Sequence, residues 1–295
     1  MAVTLDFYRD PAEFLAAAGD HLAADPVLST VVANVADRAA RESADGVNPP
    51  DRDWYVVARD DDVVAGVGMR TASFEPRPLY LLPMPEEAAV LLARTLHERG
   101  EEVAAVNGAL PATWLFADEA ARLLGRRAEV TLHMRLFELR EPPPTTNTPG
   151  RLRAATRDEI DVVTTWFDAF MNEADEQAGR PRGTTPHETP ERPAMLRRLD
   201  EERVWLWVDA GERPVHLIGV NPPSFRAARI GPVYTPPEER GRGWAGAAVA
   251  EVSRRILAGG ARPCLFTDQA NPTSNALYQR LGYRPVVDMV NVRVV

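Results

Sequence analysis

Ten residues near the middle of the chain can form neither a helix nor a central strand. They are Glu141-Pro142-Pro143-Pro144-Thr145-Thr146-Asn147-Thr148-Pro149-Gly150. Proline has no amide hydrogen for a helical turn or a sheet ladder, and this run offers almost no apolar surface to bury. It reads as a linker between two domains of about equal size, residues 1–140 and 151–295. A chain of 295 residues accommodates two domains comfortably.

The halves echo each other. Trp54 to Val67 reads as two short strands around a turn at Asp60-Asp61-Asp62, and Trp207 to Val220 reads the same way around Ala210-Gly211-Glu212, so that Gly66 and Gly219 correspond. Pro85-Glu86-Glu87 and Pro237-Glu238-Glu239 each precede a helical pattern. Leu124-Gly125 and Leu281-Gly282 each precede a terminal strand. Three correspondences in the same order point to duplication.

In the second half, apolar residues at three- and four-residue steps predict a helix over 158–176, followed by a Pro-, Gly- and Thr-rich loop over 179–193 and a short helix over 194–202. Strands are expected over 203–208, 215–220 and 227–235. A helix whose apolar face carries Ala248, Val249 and Val252 ends at Gly259-Gly260, and a strand covers 262–267. Asn271 and Pro272 start a helix that stops at Gly282, and a last strand covers 285–295.

Composition narrows the function. The net charge of −9 disfavours a general nucleic-acid binder, which needs a cationic footprint. No apolar run is long enough to span a bilayer. The first ten residues lack the basic flank and apolar core of a secretory signal, so the cytoplasm is the expected location. Lysine is absent from the sequence, so all 34 basic side chains are arginine and no lysine amine can serve as a nucleophile. Cys264 lies in an apolar run and is expected to be a buried, inert thiol. No His, Cys or Asp pair has metal-site spacing, and no Gly-x-Ser-x-Gly elbow is present. His187 and His216 stand alone and are expected to be structural.

The chemistry concentrates in Glu239-Arg240-Gly241-Arg242-Gly243-Trp244-Ala245-Gly246, which follows an apolar strand and opens a helix. Small residues at a helix start leave backbone N–H groups uncrowded, and with the helix dipole they favour an anion such as pyrophosphate. Gly241-x-Gly243-x-x-Gly246 also spells a dinucleotide fingerprint, with Asp268 about twenty residues on. Against an NAD-binding fold, Pro236-Pro237-Glu238-Glu239 separates the motif from its strand, and too few βα units remain downstream.

Arg240-Gly241-Arg242-Gly243-Trp244-Ala245 resembles the Arg/Gln-x-x-Gly-x-Gly/Ala signature of the GCN5-related N-acetyltransferase (GNAT) family. A second likeness is the strand ending Phe266-Thr267-Asp268, then a helix with Asn271, Asn275 and Tyr278, then Leu281-Gly282-Tyr283. The resemblance covers residues 151–295 and reaches the first half only through the repeat. It implies an α/β protein of two tandem acetyltransferase-like domains, each a mostly antiparallel mixed sheet flanked by helices. It implies acetyl-CoA as cofactor, with the pyrophosphate on Arg240, Gly241, Arg242, Gly243, Trp244 and Ala245. The pantetheine arm would lie along Val233, Tyr234 and Thr235, where Pro232 has no N–H to give. Asn271 and Asn275 would touch the cofactor, and Tyr278 would protonate the departing thiolate.

The first half has Ala88-Ala89-Val90-Leu91-Leu92 after Pro85-Glu86-Glu87, with neither glycine nor arginine, and so reads as a copy without a cofactor site. The strand before the motif carries no acid, although many family members have a glutamate there. Glu173, which with Asp175 and Glu176 follows the aromatic residues Trp166, Phe167 and Phe170, is the candidate base and part of an acidic mouth for a cationic amine. The expected protein is an N-acetyltransferase acting on an amine-bearing small molecule in a ternary complex, as a monomer or homodimer. The alternative is a catalytically silent acyl-CoA-binding sensor.

Overall fold

A computed structural model describes residues 3–177, 181 and 190–295. His187 and most of the expected 179–193 loop lie outside the described residues. The chain divides into two compact units, residues 1–136 with 286–295, and residues 137–285. The Pro-rich run thus falls inside the second unit, and the last ten residues inside the first.

Both halves of the chain repeat one order of elements: strand, two helices, three strands, helix, strand, helix, strand. The first half has β1 (Val3–Tyr8), α1 (Pro11–Ala24), α2 (Thr30–Ala44), β2 (Trp54–Asp60), β3 (Val63–Arg70) and β4 (Leu79–Leu81). It continues with α3 (Glu86–Glu98), β5 (Ala105–Ala109), α4 (Ala112–Leu124) and β6 (Ala128–Glu138). The second half has β7 (Arg151–Ala154), α5 (Ile160–Gln177), α6 (Arg192–Asp200), β8 (Val204–Val208), β9 (Pro214–Val220) and β10 (Ala227–Tyr234). It ends with α7 (Trp244–Ala258), β11 (Arg262–Asp268), α8 (Pro272–Arg280) and β12 (Arg284–Val294). Strand β7 has no counterpart in the sequence reading; its four residues, two of them arginine, are too short and too polar to stand out.

The first unit holds a mixed sheet in the order β1-β2-β3-β4-β5-β12-β6, with β12 antiparallel to β5. Val290 and Val292 of β12 pack into its core beside Leu81, Leu92 and Phe116. The second unit holds β11-β10-β9-β8-β7 and begins on the end of β6, where Leu139 N–H donates to Pro263 at 2.9 Å. Its sheet is covered on both faces. Leu206 and Leu217 pack with Val163 and Phe167 of α5, whereas Trp207 and Ile218 pack with Ala248 and Val252 of α7. This is the period-two alternation of a strand buried on both sides.

Local chemistry fixes the helix ends. Asp10 caps α1 through Ala12 N–H at 2.7 Å, and Pro11 takes the first turn. Thr156 and Glu159 form a reciprocal capping box in the short 3₁₀ turn that leads into α5. Gly125, at φ 64°, closes α4 in the left-handed conformation.

In the first unit, buried Glu119 of α4 takes Arg122 at 2.7 Å and Arg94 of α3 at 2.6 Å. Their hydrogen bonds hold its carboxyl down to about 2 from an ordinary 4.5, Arg122 contributing most. A depressed carboxylate stabilises the fold above its unfolded pKa and loses that contribution as pH falls toward the folded one. Wild type is therefore expected to melt above Glu119→Gln at pH 7, with the gap closing between about pH 4.5 and pH 2. A melting-temperature difference that stays constant from pH 7 to pH 2.5 would remove this pair from the stability of α3 and α4.

Candidate active site

The site begins where two strands part. β10 runs parallel to β11 only from Ala227 to Arg229, opposite Arg262 to Cys264, although both strands continue, to Tyr234 and Asp268. On its other side β10 stays with β9, where Ile230 faces Val220 and Val233 faces Ile218. Three steps on β10 match two on β9, so a bulge sits at Gly231-Pro232. Gly231 has φ 152° and Pro232 has no N–H to donate. A Cβ on the facing Gly219 would fall 2.6 Å from the Gly231 carbonyl oxygen, so only glycine fits there. Among the described residues, no strand claims the β11-side edge of Ile230 to Tyr234.

Past Tyr234 the chain makes a short 3₁₀ turn at Pro237–Glu239, then Arg240 to Gly243, then α7. Gly241 and Gly243 have φ 77° and 83°, a left-handed geometry that glycine adopts without strain. Among the described residues, the N–H groups of Gly241, Arg242, Gly243, Trp244, Ala245 and Gly246 meet no protein acceptor. A Cβ on Gly241 would meet open space, and one on Gly243 would approach only the Thr148 hydroxyl, at 3.4 Å. The result is a run of bare donors at the positive end of a fifteen-residue helix.

The arginines of this run face the protein. Arg240 donates through Nε to the Thr235 carbonyl at 3.1 Å and pairs with Glu173. Arg242 lies 2.9 Å from buried Glu239, a charge contact off the hydrogen-bond axis, and Glu239 is also 3.0 Å from Arg213. With both guanidinium charges compensated, the attraction for an anion comes from backbone dipoles.

The comparisons fit this geometry. The FR47-like protein family matches residues 224–294, which hold β10, the donor run, α8 and β12. A GCN5-related N-acetyltransferase from Sphaerobacter thermophilus superposes with a TM-score of 0.59 at 18% identity, covering 99% of this chain and 95% of its own. A Drosophila protein gives a TM-score of 0.69 at 13% identity, covering 100% and 99%. A tandem GNAT protein from the clavulanic acid biosynthesis pathway gives 0.53 at 15%, covering 99% and 98%. No curated protein matches the sequence. The chain has the GCN5-related N-acetyltransferase fold.

Other candidate residues of this GNAT fold spend their side chains locally. Asn271 caps α8 through Ser274 N–H at 3.1 Å, and the Asn275 amide donates to the carbonyls of Asn271, at 2.7 Å, and Asp268, at 3.0 Å. They shape the turn from β11 into α8. Tyr278 of α8 is 6% exposed and meets Tyr283 edge-on at 5.9 Å. Burial pushes its phenol well above the ordinary range, so Oη keeps its proton at neutral pH. Tyr234, at the end of β10, donates to Glu173 at 2.8 Å; burial, then that bond, raises it to about 12. Of the expected acidic mouth, Glu173 is engaged at both oxygens, Asp175 is fully buried and Glu176 is at the surface.

Three residues contribute here without a site role in the sequence expectation, in which His216 is structural. His216 is fully buried, holds the Thr235 hydroxyl through Nδ1 at 2.8 Å, and is pushed down to about 3 by desolvation, so it stays neutral. Trp207 donates its indole N–H to Pro149 at 3.0 Å, and a Cβ on Gly150 would sit 2.1 Å from the Val208 carbonyl oxygen. The end of the Pro-rich run is therefore seated on β8, which brings Thr148 beside Gly243. Its signal was the closing Pro-Gly pair, which the run's composition obscured. Glu239, the third, reads in the sequence as the end of a Pro-Glu-Glu triplet and the start of the motif, with no partner assigned.

The first unit lacks this arrangement. β4 pairs with β5 along its whole length, Leu79 to Leu81 against Val106 to Gly108. A Cβ on Gly108 would lie 2.0 Å from the Leu81 carbonyl oxygen. Helix α3 starts directly after Pro85 with Glu86 and Glu87, which place negative charge where the second unit has bare donors. A cavity of about 140 Å³ lined by Leu96, Val103 and Phe116 is too small for a coenzyme.

Gly219→Ala is expected to cost about 1–3 kcal/mol, as small-to-large changes in close-packed sites do, because the new methyl meets the Gly231-Pro232 backbone. Denaturant unfolding measures it; an unchanged midpoint would mean that the bulge yields freely.

Proposed function

We propose that the second unit binds acetyl-CoA and transfers its acetyl group to an amine of a small molecule. One observation carries the reading: six consecutive backbone N–H groups, Gly241 to Gly246, meet no protein acceptor among the described residues and open α7 beside the unclaimed edge of β10. Those amides suit the pyrophosphate, and the edge from Ile230 to Tyr234 offers strand-like bonds to the amides of the pantetheine arm. Bound acetyl-CoA supplies an activated thioester. Tyr278 holds a proton at Oη for the leaving sulfur, its ring packed among Leu281, Tyr283 and α7. The acceptor amine loses its proton to water or to a base outside β10, which carries no carboxylate. The first unit is proposed to be a copy that binds no coenzyme.

The absence of a carboxylate on β10, with Glu173 engaged by Arg240 and Tyr234, favours a second reading in which the chain binds acyl-CoA without turning it over. Release of free CoA from acetyl-CoA across a panel of amines separates the two. No release with any amine, alongside tight binding of CoA, would decide for the binder.

Gly243→Glu is expected to abolish CoA binding, because its carboxylate would fill the anion position; calorimetric binding equal to wild type would refute the cradle. Tyr278→Phe is expected to lower turnover by about 10²-fold, typical for loss of a general acid, with CoA affinity retained. Wild-type turnover in that variant would take the proton away from Tyr278.

A further inference from the structure

Four residues form a closed ring around the entry to the donor run. The Tyr234 hydroxyl donates to one Glu173 oxygen at 2.8 Å. The other oxygen pairs with Arg240, whose Nε donates to the Thr235 carbonyl at 3.1 Å, one peptide away from Tyr234. The ring is anchored on three sides. Tyr234 is buried and in ring contact with Trp166 at 6.2 Å. Thr235 is held by buried His216. Glu173 sits on α5, which packs against β10. The fourth member, Arg240, immediately precedes Gly241, the first bare donor.

This geometry is poorly suited to a base. A carboxylate that accepts from a phenol and from a guanidinium has both oxygens committed, and taking a proton from an amine would break one of those bonds. It is well suited to fixing a loop. The guanidinium is gripped from two directions, so the Arg240 backbone is fixed, and with it the direction in which Gly241 to Gly243 present their N–H groups. Charge-assisted bonds are the stronger kind, and this one is shielded on the glutamate side, the Glu173 side chain being 16% exposed against 41% for Arg240.

We propose that Glu173 is a positioning residue for the phosphate cradle, holding Arg240 against the Thr235 carbonyl and so setting the affinity for coenzyme A rather than accepting the acceptor's proton. The proposal rests on the cofactor reading above. It also ties α5 to the cradle: a shift of α5 at Glu173 loosens the grip on Arg240.

The test measures binding of CoA to the full chain by calorimetry for wild type, Glu173→Gln, Arg240→Gln and the double variant, with melting temperatures as a check on folding. Each single variant is expected to weaken CoA by about tenfold, the equivalent of one charge-assisted contact. The double variant is expected to be no weaker than about the same, because both substitutions break one contact. Should Glu173→Gln fail to fold, Tyr234→Phe removes the other bond to the same carboxylate and is expected to weaken CoA by about two- to threefold. Wild-type affinity in a folded Glu173→Gln, or in Tyr234→Phe if that is the variant that folds, overturns the clamp alone. Strictly additive losses in the two glutamine variants also overturn it, since they would place Arg240 on the phosphate independently of Glu173. A wild-type chain that binds no CoA overturns the cofactor reading together with the clamp.

Discussion

The site depends on one broken ladder. Adjacent parallel strands normally satisfy each other's backbone groups along their shared length. β10 and β11 stop doing so after Arg229 and Cys264, and every feature of the candidate site follows from that separation. The bulge at Gly231-Pro232 adds a residue to β10 against β9, which bends and twists the strand. Pro232 also removes a donor at the point of departure. The β11-side edge from Ile230 to Tyr234 is thereby left without a strand partner among the described residues, and the chain leaving it turns through Pro236 to Gly243 before α7 starts. The first unit is the control. There β4 and β5 stay paired to the end of β4, Gly108 is pressed against Leu81, and only four residues separate β4 from α3. From Gly66 to the start of α3 is 20 positions, whereas from Gly219 to the start of α7 is 25. Between the strand and the helix the second unit has nine residues, 235–243, where the first has four, 82–85.

Much of this architecture was legible because it obeys local rules. The α8 start at Asn271-Pro272, the α7 end at Gly259 and the β8–β9 hairpin agree with their sequence signals to within a residue or two. The duplication was visible for the same reason, since Gly66 and Gly219 sit at equivalent close approaches, the former against Met84 and the latter against Gly231 and Pro232. The Pro-Glu-Glu match was less faithful. Pro85-Glu86-Glu87 is a helix start, whereas Pro237–Glu239 is a 3₁₀ turn four residues short of one.

What could not be read was the direction of side chains. Arg240 and Arg242 belong to the expected pyrophosphate site through the family signature, and the side chain of each is drawn to a carboxylate that is distant in sequence or buried. The choice of Glu173 by Arg240 is set by tertiary packing, and no spacing rule reports it. Glu173 illustrates the same gap from the other side. Its position after the aromatic residues of α5 suggested a free acid, but the third dimension places Tyr234 and Arg240 against it. Asn271 and Asn275 were found through a pattern, and their amides are used to build the β11–α8 turn rather than left open.

The division of the chain has a physical logic that a boundary drawn at the Pro-rich run misses. β6 ends in the second unit, and β12, the last strand of the second half, lies in the first. Val290 and Val292 are core residues of the first unit, and Phe137 and Leu139 are core residues of the second. A cut at residue 150 therefore removes buried apolar side chains from both cores. The run from Glu141 to Gly150 is constrained for a related reason. Its end is bonded to Trp207 and seated against Val208, which places Thr148 at the mouth of the donor run. A segment chosen only to span a distance would tolerate almost any polar sequence. This one needs glycine at 150, where φ is 101° and a side chain would strike the Val208 carbonyl, so its length and register are set by the site it borders.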